Sequence, residues 1–130
     1  MSKTTLGFIF SGMVYLAIGT VLGVLFLAVP DSLPLRTVHV HLNLVGFVMF
    51  LIFGVAYHIL PRFRGRPLHS EKLAWAQLWM ANVGLVGMML FIGIGAYSAS
   101  AMLTPFKAAF GALLGLSIYT YIYNMWRTLA

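Results

Sequence analysis

Four long apolar stretches, roughly Thr5–Val29, Leu35–Leu60, Lys72–Ser98 and Pro105–Thr128, fill most of this chain. Each exceeds the ~20 residues that an α-helix needs to cross a hydrocarbon core. Only 8% of residues are charged and 62% are hydrophobic, whereas a soluble domain carries about a quarter charged residues. Such a surface must face lipid. The expectation is an all-α fold: one integral membrane domain over 1–130, a four-helix up-down bundle, with no room for a soluble domain. The first stretch is too long for a secretory leader and lacks its small-residue cleavage pattern, so it counts as a helix.

Charge sets the expected orientation. Lys3, Arg62, Arg64, Arg66, Lys72 and Arg127 fall at the two ends and in the second connection, whereas Arg36 and Lys107 fall in the first and third. By the positive-inside rule both termini are expected in the cytoplasm, in a multi-pass protein of the cell membrane. The net charge of +6 is then topological and implies no nucleic-acid partner. Anionic lipid is the expected partner of the Arg62–Arg66 cluster. No cysteine is present, which excludes disulfides, iron–sulfur clusters and covalently attached c-type haem. The two acids, Asp31 and Glu71, are both expected in loops, so a carboxylate pathway across the membrane is not expected.

Local signals fix the expected helix ends. Pro30 and Pro34 bracket the first loop, Pro61 stops the second helix, and Thr104–Pro105 reads as an N-cap followed by a first helical position. Trp75, Trp79, Tyr119, Tyr121, Tyr123 and Trp126 are expected at the cytoplasmic interface. Gly19-x-x-x-Gly23 and Gly111-x-x-x-Gly115 suit close helix contacts, either within the bundle or between two copies. Four helices without an internal repeat are few for a transporter.

His39 and His41 open the second stretch, and an ionisable residue inside a bilayer is a functional hypothesis by default. At i and i+2 they point roughly 200° apart, so they suit two tasks rather than one metal ion. The face of His39 continues through Asn43, Gly46, Phe50 and Tyr57, and that of His41 through Val45, Val48, Ile52 and Ile59. Gly46 and the apolar wall below His41 each suit a flat macrocycle. Neutral imidazole is a common axial ligand of haem iron. Arg36, one turn outward from His39, and Lys107, at the same membrane side, could each meet a haem propionate. His58 lies about 25 Å further down the helix and cannot share that cofactor, while His69 belongs to a basic loop. The methionines read as gap-fillers of the bundle.

A larger pattern runs through the chain: His39-x-His41, then Gly54, Tyr57-His58, Pro61-x-Phe63-x-Gly65 and Leu68, then a helix with Trp79. It resembles helices ten and eleven of subunit I in the haem-copper oxidase superfamily, which includes cytochrome oxidases and nitric oxide reductases. Pro61-Arg62 followed by Gly65 leans toward the latter. The first and fourth helices would match the ninth and twelfth. The resemblance implies that His39 matches the ligand of the high-spin haem and His41 that of the low-spin haem, toward the outer side of the membrane.

The helices that carry the copper-binding histidines, and the opposite ligand of the low-spin haem, have no counterpart here. The arginine pair that meets propionates is also missing from Tyr97–Met102. Oxygen or nitric oxide reduction by this chain alone is therefore not expected. The expected function is a b-type haem protein in electron transfer, with quinol or another redox partner as the electron source. One or two haems would be bound per protomer or shared across a homodimer, with His39 and His41 as iron ligands. Copper at His39 is the other metal weighed. The alternatives are a gas-binding or haem-sensing module, and a non-catalytic partner or assembly subunit of a larger oxidase.

Overall fold

The computed structural model describes residues 1–130. The fold is all-helical, with four helical spans long and apolar enough to cross a membrane: Lys3–Ala28, Pro30–Arg64, Glu71–Tyr97 and Ala101–Leu129. Helix α1 (Lys3–Ala28) forms the first span. The second is a continuous rod of changing pitch, with a 3-10 entry (Pro30–Leu35), α2 (Arg36–His41), a π-helical stretch (Leu42–Met49) and α3 (Phe50–Arg64). Helix α4 covers Glu71–Tyr97. A short 3-10 turn, Ala101–Leu103, leads into α5 (Thr104–Leu129).

Two hydroxyl caps begin helices earlier than expected. The Ser2 side chain accepts the Thr5 N–H, and the Ser70 side chain accepts the Leu73 N–H. Each satisfies an amide that has no partner inside its helix.

Two expected ends are corrected. Pro61 does not stop the second helix, which runs to Arg64 and closes at Gly65, in the left-handed region at φ 68°. Proline lacks only its own N–H, and its fixed φ suits a helix. The turn closes when the Arg66 N–H donates to the Pro61 carbonyl and the Gly65 N–H to that of Arg62, in the manner of a glycine C-cap. Thr104 is not an N-cap either. It is already helical, and no side chain caps α5, because the preceding 3-10 turn feeds straight into it.

The helices associate as two close pairs, α1 against the α2–α3 rod and α4 against α5, with α4 also touching α1 and α2. In the core, Phe8 of α1 meets Phe50 and Phe53 edge-on at 5.3 and 5.6 Å between ring centroids. Both chain termini gather at the end that holds the 65–70 connection. There Arg64 donates to the Leu129 carbonyl, and Asn124 exchanges two hydrogen bonds with the Ser70 backbone. The other two connections meet at the opposite end, where the Tyr97 hydroxyl donates to the Asp31 carbonyl at 2.9 Å. Only 26 of 130 residues are buried, so most apolar side chains face outward, as a hydrocarbon surrounding requires. Tyr121 departs from the expected interfacial ring. It packs inward on Phe53 and Tyr57, at 4.4 and 5.3 Å.

Candidate functional site

The site lies where α2 gives way to the π-helical stretch, one residue past His41. The Asn43 side-chain amide donates to the His39 carbonyl at 2.8 Å. An α-helical bond from residue 43 would use that same carbonyl, and a side chain entering the ladder favours wider winding. Short π stretches recur at functional sites. This one had no signal in the sequence beyond an asparagine one turn after a histidine.

His39 faces α1. Its Nδ1 lies 2.8 Å from the Gly19 carbonyl. A carbonyl only accepts, so Nδ1 carries a proton, and in the neutral ring Nε2 keeps its lone pair. The Asn43 amide nitrogen at 3.3 Å from the same Nδ1 is then a neighbour and not its donor. Gly23 makes room for the ring: a Cβ there would stand 3.1 Å from His39 Cε1. The Phe26 ring packs edge-on at 5.3 Å. His39 is thus a half-buried ring seated in the seam between two helices.

His41 is placed differently. Its Nδ1 lies 2.9 Å from the Thr37 carbonyl, one turn earlier in the same helix. The proton is again fixed on Nδ1 and Nε2 remains free. No other helix bonds to this ring, and further along the rod Val48 and Ile52 are exposed. Both histidines therefore fit haem iron by donor chemistry, since a neutral imidazole tethered at one nitrogen can ligate through the other. Both rings are half-buried, and they differ in what holds them: His39 is bonded to α1, and His41 within its own turn.

The structure corrects the reading of Gly46 as a platform for a macrocycle. Tyr15 of α1 fills that place, and a Cβ on Gly46 would come within 2.7 Å of Tyr15 Cβ. The Gly19–Gly23 pair likewise faces Asn43 and His39 within the chain. Arg36 is exposed at the mouth of α2. Lys107 lies half-buried across α4, its Nζ 2.5 Å from where a Gly95 Cβ would stand. Gly93 of α4 faces Leu35 and Val38 of the second rod, so Arg36 and Lys107 share the end of the bundle that holds the histidine pair. His58 accepts from Arg62 at 2.6 Å, and His69 stands edge-on to Tyr123 at 5.9 Å. Neither joins the pair. No three His, Cys, Asp or Glu side chains are grouped so as to hold a metal ion by themselves.

Sequence reasoning also missed two buried polar groups elsewhere. The Gln77 amide on α4 and the Tyr57 hydroxyl on α3 are buried without a hydrogen-bond partner.

Comparison with known proteins gives a consistent result. Residues 3–130 match the family model described as cytochrome c and quinol oxidase polypeptide I. A protein of Streptomyces avermitilis named for cytochrome c oxidase subunit 1-alpha is 31% identical over 103 residues. One of Streptomyces coelicolor named for cytochrome c oxidase subunit 1-beta is 33% identical over 103 residues. In each case the match takes in 69% of this chain but 18% of the relative, so the chain spans less than a fifth of the length of these proteins. No solved structure matches it.

Proposed function

The chain belongs to the cytochrome c and quinol oxidase polypeptide I family of membrane proteins, and on that footing we propose that it is a b-type haem protein that passes single electrons within the membrane. The observation that carries this reading is the state of His41: Nδ1 is held by the Thr37 carbonyl, Nε2 is free, and no other helix bonds to the ring. When bound, haem supplies a one-electron iron couple. The chain's own part is to hold an imidazole in one tautomer, exclude water with an apolar helix, and offer Arg36 and Lys107 to the propionates. A second copy related by a two-fold axis would supply its own His41 as the other protein ligand. His39 is bonded into the seam with α1, and Tyr15 fills the place beside Gly46 that a macrocycle on that face would need, so this arrangement leaves His39 empty. The histidine end is assigned to the outer side of the membrane on the distribution of basic residues.

The absorbance of the purified protein, reduced minus oxidised, with iron and copper quantified, tests the proposal. The expected result is a low-spin b-type spectrum that His41→Ala abolishes and His39→Ala retains, with a light-scattering mass of a dimer. Absence of haem absorbance in the wild type, or full haem content in both variants, overturns it. Carbon monoxide should leave a bis-histidine haem unchanged, and a shifted band would favour gas binding at His39.

A further inference from the structure

We propose that the cavity at the opposite end of the bundle, where α1 begins, α3 ends and α4 starts, binds a phosphate group. It is an open cavity of about 210 Å³ lined by Ser2, Tyr57, His58, Arg62, Arg66 and Glu71, among others, with room for a phosphate group. This site is separate from the histidine pair and does not depend on the haem reading.

Its donor set is what an anion needs. Arg62 spends one N–H on His58 Nε2, at 2.6 Å. A guanidinium carries five N–H groups and accepts nothing, so most of its donors remain. Because His58 Nε2 accepts, its proton lies on Nδ1, which adds another donor. The Gly65 turn brings Arg66 back beside Arg62 through the Arg66 N–H to Pro61 carbonyl bond. Two guanidinium forks on one small cavity suit an oxyanion, and a phosphate offers three or four oxygens to share between them.

Tyr57 shares the wall, but its hydroxyl is buried away from the open space and lies beside the Asn124 amide, so the two arginines and His58 carry the site. Glu71 is the one acid on the wall. It opposes an anion, so its removal has a predictable sign. The donors are N–H and O–H groups, and Glu71 alone does not make a cation site.

The test is a thermal-unfolding titration of the full chain in a maltoside detergent. The probes are inorganic phosphate and short-chain phosphatidic acid, each against sodium chloride at equal ionic strength. The expected result is a saturable rise in Tm. Its midpoint concentration should be weakened ten-fold or more in Arg62→Gln and Arg66→Gln and tightened in Glu71→Gln. It should be unchanged in Lys3→Gln and Arg127→Gln, which remove charge outside the cavity. Saturation by inorganic phosphate identifies a free phosphate as sufficient, and saturation by phosphatidic acid alone identifies a lipid headgroup. Either supports the site. No saturable rise above chloride, or equal weakening in Lys3→Gln and Arg127→Gln, overturns it. Should the arginine variants fail to fold, Glu71→Gln decides, because unchanged or weaker binding there also overturns the proposal. Failure here would leave the haem spectrum untouched.

Discussion

Glycine lines both the seam between α1 and the second rod and the pair α4–α5, yet Gly19 and Gly23 in the one serve a different end from Gly84 in the other. In the seam, Gly19 and Gly23 make room for side chains: a Cβ at Gly19 would meet Asn43 Nδ2 at 2.6 Å, and one at Gly23 would meet the His39 ring. In the α4–α5 pair, Gly84 makes room for backbone, since its Cβ would stand 2.7 Å from the Leu114 nitrogen. Polar groups in the seam are partnered, His39 by the Gly19 carbonyl and Tyr15 by Asn82. On α4, Gln77 is fully buried with both amide atoms unpartnered. Glycine spacing marks a close approach in either case. What fills the gap, imidazole and amide or main chain, decides whether the approach carries chemistry.

The sharpest way to break this contrast is Gly84→Ala. Backbone at Leu114 cannot swing aside as a side chain can, so the helices must separate. The expected loss of stability in detergent unfolding is about 1–3 kcal/mol, with haem per folded chain unchanged. A variant as stable as the wild type would mean that α4 and α5 are not in backbone contact. Gln77→Leu tests the other side of the comparison. Removing a buried amide without partners for an apolar group of similar size should be neutral or stabilising by about 1 kcal/mol. A loss of 2 kcal/mol or more would show that Gln77 has a partner in solution, such as ordered water.

The sequence made the spans legible because their composition leaves no other environment for them. It also made His39 and His41 legible, because their two-residue spacing separates their faces whatever the tertiary packing. The rest depended on what stands opposite. Pro61 looks like a stop, but only the Gly65 turn shows where the chain leaves the helix. Gly46 looks like open space, and Tyr15 from α1 occupies it. Tyr121 has the composition of an interfacial ring, and half-buried it leans on Phe53 and Tyr57. Gln77 is one amide among apolar neighbours, and nothing in the sequence says that it finds no partner. Each of these facts belongs to a pair of helices, and no one-dimensional pattern contains it.

Gly19→Ala sharpens the seam itself. The added methyl displaces Asn43, which loses its bond to the His39 carbonyl, at an expected cost of about 0.5–1.5 kcal/mol. The informative readout is optical. His41 is anchored inside its own turn by Thr37, so low-spin haem absorbance should persist in this variant. Its loss would show that the two histidines work as one unit through the seam.

Gly115→Ala has the smallest expected effect and bears on assembly. No atom lies within 4 Å of a Cβ built at Gly115, whereas Gly111 one turn away faces Met88 of α4. Half of the Gly111-x-x-x-Gly115 pair is therefore spent inside the chain. Replacing glycine by alanine in open space should stabilise α5 by about 0.5–1 kcal/mol through the backbone alone. A dimer that joins two copies through His41 uses the second rod, and α5 packs on α4 and α3. Dimer mass and haem content should therefore match the wild type. A monomeric Gly115→Ala with reduced haem would move the interface onto α5 and remove the geometric basis for pairing two His41 rings across the axis.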